Sequence, residues 1–246
     1  MEGQGNDLLD LAGAEDIGLQ KEILLHRPDV LFTPTHYAPL ILPMPSVISI
    51  MDLAFEKFPQ YFKAKDLYQL KYWSRLSASQ ASKIITISEN SKKDIVEIYH
   101  IPEQRIVVTY PGYDKDRFNT QVKKSTKYGE YLLFLGTLQP RKNIERLIQA
   151  FKLLKTDYNL VIVGMIDEGR GGWMNENIKG EKNIVLTGYL PDSEIPGLYA
   201  GAKAFVLPSL YEGFGIPAVE AMACGTPVCV SKVSSLPEIC GDAAVY

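Results

Sequence analysis

The stretch Leu207-Pro208-Ser209-Leu210-Tyr211-Glu212-Gly213-Phe214-Gly215-Ile216-Pro217-Ala218-Val219-Glu220-Ala221-Met222-Ala223-Cys224-Gly225-Thr226-Pro227 decides the reading of this chain. The run Lys203 to Leu207 before it is apolar and reads as a strand. Pro217 suits the first turn of a helix, where a missing N–H costs no hydrogen bond. Gly225 suits the helix stop. Glu212 therefore lies on a loop and Glu220 on the following helix, with seven residues between them. The N–H groups around Phe214 to Ala218 have no helical acceptors and form an anion site. Two carboxylates flanking a phosphate-sized nest suit a ligand with hydroxyls at both ends and phosphate between, as in a sugar nucleotide. The plain alternative is a strand–loop–helix unit with two solvated glutamates, and the glutamate spacing alone does not exclude it.

Outward from this stretch, the chain has 246 residues, 46% hydrophobic and 22% charged, enough for one large or two small soluble domains. A net charge of −3 offers no footprint for nucleic acid. No apolar run is long enough to span a membrane; Ile41 to Met51 is broken by Pro43 and Pro45. The opening residues have neither the basic start nor the apolar core of a secretion signal. Cys224, Cys229 and Cys240 lack metal-ligand spacing and read as core or helix residues of a reducing compartment.

Short β-branched runs alternate with helical patterns. Asp29 to Thr33, Ser46 to Ile50, Lys83 to Ile87, Arg105 to Thr109, Tyr131 to Leu135, Leu160 to Val163, Ile184 to Leu186 and Ala204 to Leu207 read as strands. That order implies an α/β protein with parallel sheets covered on both faces. The polar stretch Asn119 to Glu130 is the best linker. The expected division is a Rossmann-like domain over residues 1–122, a linker over 123–130 and a second Rossmann-like domain over 131–246. Ligands of such folds bind in the cleft between doubly wound domains.

The Glu212 to Pro227 stretch closely resembles the signature of retaining glycosyltransferases of the GT-B fold, in particular glycosyltransferase family four, the mannosyltransferase-like group 1. The resemblance implies that Glu212 meets the transferred sugar and Glu220 the nucleotide ribose. It implies that Gly213, Phe214, Gly215 and Ile216 bind the diphosphate. It also implies an N-terminal domain that is incomplete here, because Met1 to Gly18 offers no apolar strand or glycine-rich loop. Ala243 to Tyr246 reads as the start of a strand, and the family's closing helices do not follow; the chain is expected to be a piece of a longer enzyme.

Other segments match the same family. Gly136-Thr137-Leu138-Gln139-Pro140-Arg141-Lys142-Asn143 follows a strand. Asn143 is an expected N-cap, and Ile144, Leu147, Ile148, Phe151 and Leu154 share one helical face. The segment resembles the family's glycine and Arg-Lys loop, which implies that Gly136 adjoins the donor and that Arg141 and Lys142 balance charge on the diphosphate. Where some members carry arginine after the glycine, this chain has Thr137. Thr187 to Asp192 resembles the turn against the nucleotide base, with Tyr189 and Leu190 as contacts. Ile48 to Leu53 is the counterpart of a segment that usually ends in His-Asp; here the histidine is Met51, which lacks the hydrogen bonds of imidazole, while Asp52 either faces the cleft or caps a loop. Ser88 reads as a helix cap before a ligand contact, and His36 as a residue near the acceptor side or simply in the fold. Asp114-Lys115-Asp116 reads as surface rather than as a metal-binding pair, and no metal site is argued.

The resulting expectation is a transferase that moves a hexose from a nucleotide-diphosphate sugar to a glycan or lipid-linked acceptor with retention. No cofactor or metal is expected, because Arg141, Lys142 and the helix end supply the positive charge. The alternatives are an inactive nucleotide-sugar-binding fragment, suggested by Met51, and a sugar-nucleotide epimerase. The interleaved aromatic and basic residues of Leu53 to Arg75 suit either a core helix with a solvated face or a peripheral membrane contact. Cytoplasmic placement, at the inner membrane surface, follows from the resemblance.

Overall fold

A computed structural model describes residues 18–39, 41–165 and 181–246. Of the opening Met1 to Gly18, only Gly18 falls among the described residues. The first sheet contains β1 (Leu31–Thr33), β2 (Ser46–Ser49), β3 (Lys83–Thr86) and β4 (Ile106–Val108), in that spatial order. Helices α1 (Ala54–Lys57), α2 (Ala64–Gln80) and α3 (Glu89–Tyr99) lie between its strands in sequence. The second sheet contains β5 (Tyr131–Leu135), β6 (Asn159–Val163), β7 (Ile184–Gly188), β8 (Ala204–Leu207), β9 (Val228–Val230) and β10 (Ala244–Val245). Its connections include α4 (Ile144–Leu153), α5 (Ile195–Gly201), α6 (Ile216–Ala223) and α7 (Leu236–Cys240). Every pair in both sheets is parallel. The alternation of apolar strands and helices thus folds as two parallel sheets, as the sequence predicts.

The order of the second sheet is β10-β9-β8-β5-β6-β7. The chain runs outward from β5 in one direction, then returns to β8 and runs outward in the other. The reversal between β5 and β8 leaves a crevice beyond their carboxyl ends, where open α/β sheets bind ligands. The loops leaving these strands carry Gly136 to Asn143 and Pro208 to Gly215. Topology therefore brings together two segments far apart in sequence.

Each sheet has its own core. Ile48, Ile50, Leu53, Ile84 and Ile95 fill the first. Tyr131, Leu133, Phe134, Ile148, Leu160, Phe205 and Leu207 fill the second. Strands β1 to β4 are a residue or two shorter than their apolar runs, β5 and β8 match theirs, and β6 and β7 run a residue or two beyond. Two features were not legible. β9 is only three residues long, too short for a period. Leu154 is not on the buried face of α4; the helix ends at Leu153 and Leu154 turns into solvent.

The polar segment 123–130 runs along α5, with Ser125 N–H donating to Gly197 O at 2.9 Å. A Cβ on Gly201 would collide with the carbonyl oxygen of Ser125 and come within 2.7 Å of Tyr131 Oη. That hydroxyl is fixed, since it donates to Leu198 O at 2.8 Å. Alanine ordinarily stabilises a helix over glycine by about 1 kcal/mol. Here the collision outweighs that gain, and Gly201→Ala is expected to destabilise by about 1–3 kcal/mol. A urea-unfolding midpoint that rises in the variant would show that the segment does not press on α5.

Candidate functional site

The Glu212 side chain is buried where the β5 and β8 loops meet. Lys142 Nζ lies 2.6 Å from Oε1, and Arg141 Nη1 lies 3.3 Å from Oε2. Ser209 Oγ donates to Oε1 at 2.6 Å. The two cations come from a 3-10 turn, Pro140–Lys142, which Pro140 initiates and Asn143 ends in the left-handed region at φ 57°. Asn143 stands at the N-cap position of α4, but its side chain makes no capping bond. Instead Nδ2 donates to Pro208 O at 3.1 Å, and Leu210 N–H donates to Arg141 O at 2.7 Å. The expected cap thus ties the basic turn to the carboxylate loop.

Burial by itself pushes the Glu212 carboxyl up, but Lys142 and Arg141 outweigh it and hold the group below its ordinary value. Burial pulls the Lys142 ammonium down, and Glu212 opposes that shift. The geometry supports an ionised pair: short, doubly hydrogen-bonded, and with a second cation on the other oxygen. Ion pairs of this kind contribute little net stability, but losing one partner leaves an uncompensated buried charge.

The loop carrying Glu212 is held from behind. Glu212 N–H donates to Ser234 Oγ at 2.9 Å, and Ser235 Oγ lies 2.9 Å from Glu212 O and 3.0 Å from Phe214 O. Gly215 adopts φ +105°, which favours glycine, and leads into α6, where Pro217 occupies the first turn and Gly225 follows the end at φ +76°. Gly213 is required for a different reason. A Cβ there would lie 2.6 Å from Asp52 Oδ2 of the first half. Asp52 thus lies against the Glu212 loop, and its Oδ1 accepts from Ala54 N–H at 2.8 Å, closing a turn ahead of α1. Ser88 likewise does two things. Its Oγ accepts from Ser91 N–H at 3.0 Å, capping α3, and donates to Gly213 O at 2.7 Å.

Glu220 lies half-buried on α6 and accepts from Tyr199 Oη at 3.1 Å. Burial pushes its carboxyl up, while Tyr199 and Arg117 oppose the rise. Tyr189 is 69% exposed, and Leu190 packs partly against the second core. Phe214 is buried with its ring 5.9 Å from Tyr110, and Ile216 is exposed. Thr137 is exposed and Gly136 half-buried.

The structure brings Gly136, Arg141, Lys142, Glu212 and Gly213 to one place. Glu220, Tyr189 and Leu190 lie on other elements of the same half. Met51 is exposed in part and its N–H donates to His36 Nε2 at 3.4 Å. His36 therefore packs behind Met51, where burial lowers its pKa and Nδ1 finds no partner among the described residues. Asp114 Oδ1 accepts from Asp116 and Arg117 N–H, a surface turn as expected. Ser209, Ser234, Ser235 and Tyr199 were not expected at the site. Ser209 stands in the signature itself, but a loop serine carries no mark of its partner.

Two family models match. The description "Glycosyl transferases group 1" covers residues 115–245, and "Glycosyltransferase Family 4" covers residues 8–117. O-antigen chain mannosyltransferase B of Escherichia coli is 34% identical over 227 residues, spanning 86% of this chain and 59% of that protein. O-antigen chain mannosyltransferase RfbU of Salmonella typhimurium is 30% identical, spanning 94% of this chain and 64% of that protein. The chain thus spans about three fifths of the length of these relatives. Among solved structures, Anabaena HepE in complex with UDP and glucose superposes with a TM-score of 0.72 at 21% identity, covering 93% of this chain and 66% of that one. WaaG, a glycosyltransferase of lipopolysaccharide biosynthesis, gives 0.67 at 21% identity, with 89% and 64% covered. These structures share the fold.

Replacing Glu212 by glutamine leaves Lys142 and Arg141 facing a neutral group. We expect Glu212→Gln to destabilise by about 3 kcal/mol at neutral pH. Because the folded carboxyl titrates below its unfolded value, its contribution is fully present above about pH 4.5 and is lost as pH falls through the lower folded value. Guanidinium unfolding of both proteins from pH 7 down to pH 3 checks this. A gap that stays constant across that range would show that Glu212 is not ionised in the fold.

Proposed function

We propose, for a chain that belongs to the glycosyl transferases group 1 family, that the crevice between β5 and β8 binds a nucleotide-diphosphate sugar and passes its hexose to a glycan acceptor with retention. The observation that carries this reading is the buried Glu212 between Lys142 and Arg141, directly before the N-terminus of α6. As the bond from sugar to diphosphate lengthens, negative charge grows on the leaving diphosphate and positive charge on the sugar. Arg141, Lys142 and the N–H groups at the start of α6 face the first charge. Glu212, kept ionised by the same cations, orients the sugar. Glu220 accepts from the ribose hydroxyls, exchanging its bond to Tyr199. Tyr189 and Leu190 flank the base. Fixed positive charge at the leaving group supports a reaction that needs no metal. The O-antigen mannosyltransferase relatives favour mannose as the transferred sugar and a lipid-linked glycan as acceptor. The partly exposed Met51, which offers no imidazole to the crevice, favours as second reading a nucleotide-sugar-binding chain without turnover; a radiolabelled transfer assay separates the two.

We extend the proposal to peripheral membrane contact at a cytoplasmic membrane face. No helix among the described residues is long and apolar enough to cross a membrane. Helix α2 packs Leu67 and Leu70 against the first core, yet Tyr68 and Tyr72 are exposed and stack at 6.0 Å, and Lys63 and Lys65 at the start of the helix are exposed. Amphipathic aromatic and basic side chains of this kind suit a headgroup layer.

Glu220→Ala is expected to weaken a nucleoside diphosphate by about ten- to a hundredfold, since a charged hydrogen bond contributes about 1.5–3 kcal/mol. Calorimetry that finds unchanged affinity would remove Glu220 from the site.

Lys142→Ala should weaken the diphosphate far more than the bare nucleoside, because the lost partner is phosphate. Equal weakening of both ligands in the same titrations would mean that the turn does not clamp a diphosphate.

A further inference from the structure

The residue before the buried carboxylate reaches away from the crevice, into the first half of the molecule. Tyr211 is buried, and its Oη donates to Asp94 Oδ2 on α3 at 2.7 Å. Asp94 is itself buried and takes Lys57 Nζ on its other oxygen at 2.5 Å, with Asn90 Nδ2 at 3.3 Å from Oδ2. The Tyr211 ring lies 6.0 Å from that of Phe58, and Lys57 Nζ stands 5.6 Å from its centroid. Burial, with Asp52 and Asp94 nearby, pushes the phenol far up, so it stays a donor.

The neighbours of Tyr211 make the same crossing. Gly213 lies against Asp52 and its carbonyl accepts from Ser88. Between these two anchors, Glu212 alone turns toward the second half, to Lys142. Arg141 Nη1 closes the arrangement by lying 3.0 Å from Tyr211 O and 3.3 Å from Glu212 Oε2. Farther along, Glu238 of α7 accepts from the N–H groups of Glu89 and Asn90 at 2.8 and 3.0 Å, so α3 is held at its N-terminus by the same half that carries Glu212.

We infer that Tyr211 is a positioning residue: its bond to the Asp94–Lys57 pair makes the placement of Glu212 depend on the docking of the two halves. The inference rests on the transfer reading above. When the halves part, Tyr211 and Gly213 lose their anchors, and the Glu212 loop is no longer held from the first half. Donor sugar is then oriented for reaction only in the docked state, while the nucleotide, bound by groups of the second half, is held in both.

The test compares Tyr211→Phe, Asp94→Asn and the double variant in the full chain. Tyr211→Phe keeps the ring and removes only the donor, and Asp94→Asn weakens the acceptor by removing the charge that pairs with Lys57. Either is expected to lower kcat for sugar transfer by about tenfold, with donor KM within about threefold and nucleoside diphosphate affinity within about twofold. Amide hydrogen exchange across residues 209–215 should quicken by about tenfold. The double variant should lose no more than the worse single one, because the change at Asp94 reaches the Glu212 loop through its bond to Tyr211, which Tyr211→Phe has already removed. Unchanged kcat, a matching rise in donor KM, additive losses or unchanged exchange would each overturn the proposal. If the parent chain transfers no sugar, the transfer reading fails, and the exchange measurement still decides whether Tyr211 holds the loop.

Discussion

A carboxylate cannot be taken out of water alone, and the arrangement around Glu212 follows from that constraint. Its charge is admitted to the interior because two cations and a hydroxyl meet it there. Those cations sit on a turn that the β5 strand delivers, about seventy residues earlier in the chain. The carboxylate loop must therefore lie across the strand-order reversal, and it does so through the bonds of Asn143 and Leu210 that join the two loops. The sheet topology, the basic turn and the glycine-rich loop are parts of one solution to a solvation problem.

The same pairing limits how the chemistry is divided. Lys142 and Arg141 were read from the sequence as partners of a diphosphate. In the structure they face Glu212, and the reading proposed above has a diphosphate share them with it. A cation that balances a resident carboxylate and an arriving anion holds its position before the ligand comes, and reorganises little when it does. Tyr199 plays a comparable part at Glu220, where its hydroxyl donates to the carboxylate.

What the sequence disclosed depended on whether a residue's partner was near in the chain. Alternating β-branched runs revealed the parallel sheets, because strand pattern is local. Pro217 and Gly225 bounded α6, because caps are local too. The placement of Glu212 on a loop and of Glu220 on the following helix was legible from the same stretch. By contrast, nothing about Asn143 shows that it donates to Pro208 rather than capping its own helix. Nothing about Gly213 shows that the space for its missing Cβ is taken by Asp52. Tyr211 read as one aromatic in a loop, and its role emerged only with Asp94 across the seam. Leu154 followed the helical period and still turned out, since period does not say where a helix stops.

The central position of β5 also shapes how the chain must assemble. Leu133 pairs with Leu160's neighbour Val161 on one side and with Phe205 on the other, about seventy residues later. During synthesis, at about 5–20 residues per second, the half-sheet β5-β6-β7 therefore waits about 1–4 seconds with the edge of β5 unpaired. Until β8 emerges from the ribosome, that edge is the natural target of a chaperone or of a second nascent chain. Burial of the carboxylate loop is thus a late event, completed only after the nascent half-sheet has been sealed.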